Sequence, residues 1–281
     1  MSKMMKVGMA VASLATLAVI ANYARGEAGE TFEKVQQVLA GSSQECPFEA
    51  TRAVWSDGSS LNVDAAAGTL TVVGVEGLSR IEVEAKACAS REEWLDDLEV
   101  TLATSGGEVI LETHYPDRRG GWRNIDKASL DVEVRVPTGL PVDVNDASGS
   151  IQVAGTGDLW IDDASGSIKA ESILGSVRIE DSSGSLTVTS VEGDVDIEDG
   201  SGSITLSDVG GDVTVDDGSG SIRISGIGGS VLISEDGGGS IRVEDVAGDF
   251  VVEGDGGRGS IRHSDVRGEV RVPAKRRGGG V

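Results

Sequence analysis

Six aspartates recur at matching places in the C-terminal half of the sequence: Asp146, Asp163, Asp181, Asp199, Asp217 and Asp236. Each stands two residues before a short serine-glycine phrase, and Asp162, Glu180, Glu198, Asp216 and Glu235 flank five of them. Regularly spaced carboxylates suggest a cation ladder, because stacked like charges repel and Ca²⁺ would relieve the repulsion with oxygen ligands. Asp163, Asp181, Asp199 and Asp217 are the candidate metal ligands on that reading. The competing reading needs no ion: each Asp accepts a hydrogen bond from the backbone N–H two residues on, closing an Asx-turn. The nonapeptide calcium roll also divides a coil into nine-residue halves, but its aspartate follows the glycine corner, and here it precedes it.

Covalent chemistry has little to work with. The serines of the repeated phrase lack a base, since His114 and His263 are the only histidines and neither recurs beside an ordered Ser-Asp arrangement. Paired carboxylates hydrolyse glycosides in some proteins, yet a pair on every repeat suits structure better than a single active site. Sugar clefts also use aromatic platforms, and only Trp160 and Phe250 are available from residue 148 onward. One segment differs in character: "HYPDRRGGWR", residues 114–123, gathers Tyr115, Arg118, Arg119, Trp122 and Arg123 into a candidate binding tip. A second candidate stripe, Gln152, Lys169, Thr187, Thr205, Arg223, Arg242 and Arg262, becomes basic towards the C-terminus. It fits either a small polyanion or salt bridges to the acidic columns.

The elements that must position these residues repeat themselves. The phrase begins at Ser148, Ser165, Ser183, Ser201, Ser219, Gly238 and Arg258, seven copies spaced by 17 to 20 residues. Each copy holds two short alternating runs. Ile151, Ile168, Leu186, Ile204, Ile222, Ile241 and Ile261 form one column, and Leu159, Val177, Val195, Val213, Val231, Phe250 and Val270 another. Each column has a second aliphatic position two residues on, so one face of each strand is apolar; the exception is His263 in the last copy, which marks the end of the stack. No copy can bury that face alone, so the copies must stack. The fold class expected is all-β: a single-chain parallel β-solenoid, or β-helix, of ~18-residue coils with an irregular β N-terminal cap.

The chain then divides as follows. Residues 1–24 read as a signal peptide or N-terminal anchor, with Lys3 and Lys6 before the apolar stretch Val7 to Ala21. Residues 25–47 read as a polar spacer or short helix. Residues 48–145 form an irregular β-region with degenerate coils, including a two-strand hairpin with a Gly-Gly turn in "LEVTLATSGGEVILETH". Ser90 and Glu93 suggest one capped helical turn there. Residues 146–273 hold the regular repeats, and 274–281 form a basic tail.

The columns and the export signal resemble the bacterial putative-adhesin family of unknown function, on the stretches "LDVEVRVPTGLPVDVNDASGSIQV" and the later SGS…GDV copies. The resemblance covers roughly residues 55–272. It implies a β-solenoid with a surface or envelope binding role and carries over no catalytic residues.

Composition narrows the function further. A net charge of −23 over 281 residues argues against nucleic acid as a partner. Cys46 and Cys88, the only cysteines, suggest a disulfide in an exported chain, with two buried thiols as the alternative. The function expected is a non-enzymatic, exported, envelope-associated structural or adhesin-like binding module, in the periplasm or at the cell surface. Its partner would be an envelope or surface component, with no small-molecule cofactor. The alternatives are a calcium-stabilised β-roll and a carbohydrate-active solenoid, which would need a cleft built by the region before residue 145.

Overall fold

The computed structural model describes residues 37–40, 47–116, 128–253 and 259–273, all within one unit, Lys34–Val281. Among them are 23 strands and a single 3-10 turn, Glu92–Trp94. The N-terminal strands are β1 (Gln37–Ala40), β2 (Phe48–Ser56), β3 (Ser60–Ala65), β4 (Gly68–Val75), β5 (Ile81–Ala89), β6 (Glu99–Ser105), β7 (Glu108–His114) and β8 (Ala128–Pro137).

From β9 (Val142–Asp146) and β10 (Gly149–Ala154) the chain settles into coils of two strands each. These continue as β11 (Leu159–Asp163) with β12 (Gly166–Ile173), β13 (Val177–Asp181) with β14 (Gly184–Val191), and β15 (Val195–Asp199) with β16 (Gly202–Val209). Then come β17 (Val213–Asp217) with β18 (Gly220–Ile227), β19 (Val231–Asp236) with β20 (Gly239–Val246), β21 (Phe250–Val252) with β22 (Ile261–Val266), and β23 (Val270–Arg271). Odd-numbered strands from β9 to β23 lie in one sheet and even-numbered strands from β10 to β22 in the other. Every pairing within this series is parallel. The protein is a β-solenoid, as the repeat requires.

Identical residues stack in register: Ile168 on Leu186, Leu186 on Ile204, Ile204 on Ile222. The columns read from the sequence are the core, and Ile151, Ile168, Leu186, Ile204, Ile222 and Ile241 are all buried. A fifth column, Ile173, Val191, Val209, Ile227 and Val246, is buried as well, although it breaks the period-two spacing. The break comes from the residue before it. Ser172, Ser190, Asp208 and Asp245 sit at φ of 53–59°, so one residue drops out of the ladder and the next side chain turns back inward. Each fully buried aliphatic side chain is worth about 1.5–3 kcal/mol relative to exposure, and each coil from β11 to β20 supplies five to a core it cannot form alone.

The N-terminal region is woven into the stack. The segment "SLNVDAAAGTLTVVGV" is a displaced coil: β3 pairs parallel with β9 and β4 with β10, placing Gly68 beside Gly149 and Leu70 beside Ile151. On its other side lie β7 and β8, also parallel. Antiparallel strands then finish both sheets, β5 next to β8 with β2 beyond it, and β6 next to β7. The β6–β7 hairpin turns through Gly106 and Gly107, both at positive φ, as the Gly-Gly signal predicts.

Two expectations need adjustment. Part of the expected spacer or helix is a strand, since β1 pairs antiparallel with the outer edge of β2; an open sheet edge supplies backbone partners that outweigh a weak helical pattern. The helical turn forms, but its N-cap is Arg91, with no side-chain capping bond. The stack ends as His263, standing where earlier copies carry an aliphatic residue, signals: His263 is exposed and Val272 is 37% exposed, because nothing among the described residues stacks beyond it.

Candidate functional site

The aspartate column sits at the ends of the strands of one sheet, where Asp163, Asp181, Asp199 and Asp217 are paired in register and only 1–5% exposed. In each, one carboxylate oxygen (Oδ1) accepts the backbone N–H two residues on: Ser165 at 3.1 Å, Ser183 at 3.0 Å, Ser201 at 3.1 Å and Ser219 at 3.0 Å. Asp236 does the same for Gly238. These are Asx-turns, and they hold the chain for the corner glycine that follows. At that corner Gly202 has φ 150°, and a Cβ there would come within 1.7 Å of the Gly184 carbonyl oxygen of the neighbouring coil. Only glycine fits such a ladder.

The second oxygen, Oδ2, of Asp163, Asp181, Asp199, Asp217 and Asp236 is buried with no hydrogen-bond partner. Burial, reinforced by neighbouring carboxylates, pushes Asp163, Asp199 and Asp217 up to about 6. Burial also raises Asp146, Asp181 and Asp236 above the ordinary carboxylate range. Ligand-like convergence is lacking: among the described residues no group of three or more His, Cys, Asp or Glu is arranged to hold a metal ion. The four candidate ligands stand in file, one per coil, each with one oxygen committed to its own turn.

Of the expected binding tip, Tyr115 alone lies among the described residues. Tyr115 is half-buried, and its hydroxyl donates to the Ala67 carbonyl and lies 3.1 Å from the Ala67 N–H, which it accepts. It clamps the end of β7 to the β3–β4 corner, and burial raises its pKa. Arg118, Arg119, Trp122 and Arg123 lie outside the described residues. Cys88 is disulfide-bonded; Cys46 lies outside the described residues, as does the 1–24 leader. No helix among the described residues is long and apolar enough to cross a membrane. In the basic stripe, Lys169 pairs with Glu171 at 2.9 Å and Arg242 with Glu244 at 2.5 Å, so part of its charge is neutralised within its own strands.

A groove that the motif reading missed lies on the outer face of the sheet that carries the aspartate column, where the irregular region meets the first regular coils. Its volume is about 540 Å³. Register fixes its central row: Asp143 on β9, Trp160 on β11 and Arg178 on β13 are lateral neighbours, one strand spacing of ~4.8 Å apart. Trp160 is 44% exposed. Arg178 leans away from it, to Asp196 at 2.6 Å, Glu180 at 2.9 Å and Glu198 at 3.0 Å. Asp143 is half-buried, and desolvation followed by the charge of Glu108 raises its pKa. The available signal was Trp160 itself, an aromatic at a position that reads Arg178 and Asp196 in the next coils. Phe250, the other aromatic noted above, is wholly buried.

No family model matches the chain, and no curated protein matches it. Among solved structures, it is similar to a putative lipid binding protein from Parabacteroides distasonis, with 15% identity, a TM-score of 0.42, and coverage of 79% of this chain and 96% of the other. A putative adhesin from the same organism gives 14% identity and a TM-score of 0.41 over the same shares. A putative cell adhesion protein from Clostridium sporogenes gives 12% identity and a TM-score of 0.32 over 80% and 96%. Likenesses this distant carry nothing about a site or an activity.

Proposed function

We propose that the protein is a non-enzymatic, exported binding module of the cell envelope that presents the rigid outer faces of its two sheets to a partner. The observation supporting this is the assignment of the repeated polar groups. The aspartates and serines that could have formed an active site are consumed in closing turns, with Oδ1 of each aspartate bonded to backbone. What varies from coil to coil is the outward row, and variation over a fixed frame is how a scaffold carries recognition. Fractionation of native cells tests the reading: the protein is expected with the envelope, and isolated envelopes are expected to retain the purified chain. A wholly cytoplasmic protein, or one that envelopes do not retain, would overturn it. Metal is not required on this reading, so EDTA is expected to leave the melting temperature unchanged; a calcium-dependent rise would establish the β-roll alternative.

A further inference from the structure

The geometry points to the Trp160 groove as a saccharide-binding site selective for sugars that carry a free amine. This rests on the reading of the protein as an envelope-binding module and specifies what one of its faces binds.

Three features carry the inference. The first is the ring. Parallel pairing on both sides fixes the backbone from which the indole projects outward, and its 44% exposure leaves apolar ring surface facing solvent. One face of a pyranose ring is lined by C–H groups, so stacking it there removes apolar area on both partners while the hydroxyls at the ring edge remain free to bond. The volume of the groove, about 540 Å³, falls within the usual range of ligand clefts, about 300–1,000 Å³.

The second feature is what flanks the ring. Asp143 and Arg178 stand to either side in register. A carboxylate accepts from two adjacent hydroxyls at once, and a guanidinium N–H donates to a ring or hydroxyl oxygen. Asp143 makes no hydrogen bond or ion pair among the described residues, so its oxygens are available. Arg178 directs four of its five N–H donors to Glu180, Asp196 and Glu198, which leaves one N–H, already ordered, for a ligand oxygen.

The third feature is charge. Glu108, Asp143, Asp158, Asp194 and Asp196 line the groove against the single cation Arg178. Such a field repels uronates and sialic acids and draws in an ammonium group. Glu108 on β7 and Asp143 on β9 flank β3 and both line the groove, so an ammonium lodged there is drawn by two carboxylates at once. The ring adds attraction for a cation placed over its face. Neutral sugars use the platform and the hydrogen bonds without this last gain.

Calorimetric titration of the full mature chain tests the inference, with three probes of equal length: a glucosamine tetramer, its N-acetylated counterpart and a galacturonate tetramer. The expected order is glucosamine first, the N-acetylated form at least ten-fold weaker, and no binding of the uronate. Trp160→Ala is expected to abolish binding while melting at the wild-type temperature, since the side chain stands on the outer face of β11, opposite the buried Leu159 and Ile161. Trp160→Phe, which keeps a ring, is expected to retain part of the affinity, and Asp143→Asn to erase the preference for the free amine. Failure of all three probes to bind, equal binding of the uronate, or full binding by Trp160→Ala would each overturn the inference. Retention on envelopes separates this from the wider proposal. If wild type and Trp160→Ala are retained alike, the groove assignment falls and the module reading stands; if wild type is not retained, the module reading falls.

Discussion

Each coil turns twice, and the two corners use the same residue types for different purposes. At the corner after Asp199, the carboxylate points inward, bonds Ser201 N–H within its own coil, and is followed by Gly202 at φ 150°. At the corner before Val213, the carboxylates stay outside and work between coils. Asp158 Oδ1 accepts the Ser176 N–H at 2.9 Å, Asp194 the Asp212 N–H at 2.8 Å, and Asp212 the Ser230 N–H at 2.7 Å. Glycine is present there too, but Gly211 does not need a positive φ. It is required because a Cβ would meet Asp194 Oδ1 at 2.1 Å. The left-handed residue of that corner lies earlier in the coil, and serine or aspartate fills it in most copies. One corner shapes a coil; the other staples it to its neighbours.

The largest expected effect comes from breaking the first corner. Gly202→Val places a branched side chain at φ 150° and against the Gly184 carbonyl, with a cost of about 3 kcal/mol or more from strain and overpacking together. Urea denaturation should show a midpoint far below wild type, or no folded protein.

Next comes acidity. Asp163, Asp199 and Asp217 titrate near 6 when folded, against about 3.9 in an unfolded chain. Since the folded value is raised, the contribution of these groups to stability is fully present below about pH 4 and is lost as pH rises through about 6. The melting temperature is therefore expected to be higher at pH 5 than at pH 8. Replacing all three by Asn, which keeps the turn acceptor and removes the ionisation, should flatten that slope; an unchanged slope would show that general charge repulsion governs it.

A smaller loss is expected from Asp194→Ala at the stapling corner. It removes one intercoil hydrogen bond, worth about 1 kcal/mol, and leaves the inward column intact. The smallest change should follow Asp208→Gly. Asp208 already occupies the left-handed region at φ 58°, so relief of backbone strain and added chain entropy nearly cancel, leaving less than about 1 kcal/mol. Midpoints for Asp194→Ala and Asp208→Gly, measured beside Gly202→Val, would rank the two corners directly.

The fold was legible because stacked identical residues leave a period in the sequence, and Ile204 above Ile222 is the physical form of that period. The glycine corner was legible for the same reason. The fifth buried column, with Val209 in it, was not, because a left-handed residue shifts the alternation by one and a period-two reading stops there. The order of the N-terminal strands was also hidden: β3 sits between β7 and β9, and nothing local in its residues says that the chain will leave and return on both sides. Of the site, the aspartates were visible as a column, but their inward orientation decides their chemistry, and that depends on which face of the strand meets the core. The Trp160 groove was invisible to motif reading because it depends on adjacency across coils. Trp160, Asp143 and Arg178 are 17 and 18 residues apart in the sequence yet side by side on the sheet.

The buried carboxylates are carried one to a coil, so their number is set by how many times the phrase is repeated. A version of this rod lengthened by duplicated coils would take up proportionally more protons on folding, and its unfolding would respond more steeply to a given step in acidity. Rod length and acid sensitivity are thus tied to a single genetic variable, the repeat count, and could be tuned together without altering any face of the molecule.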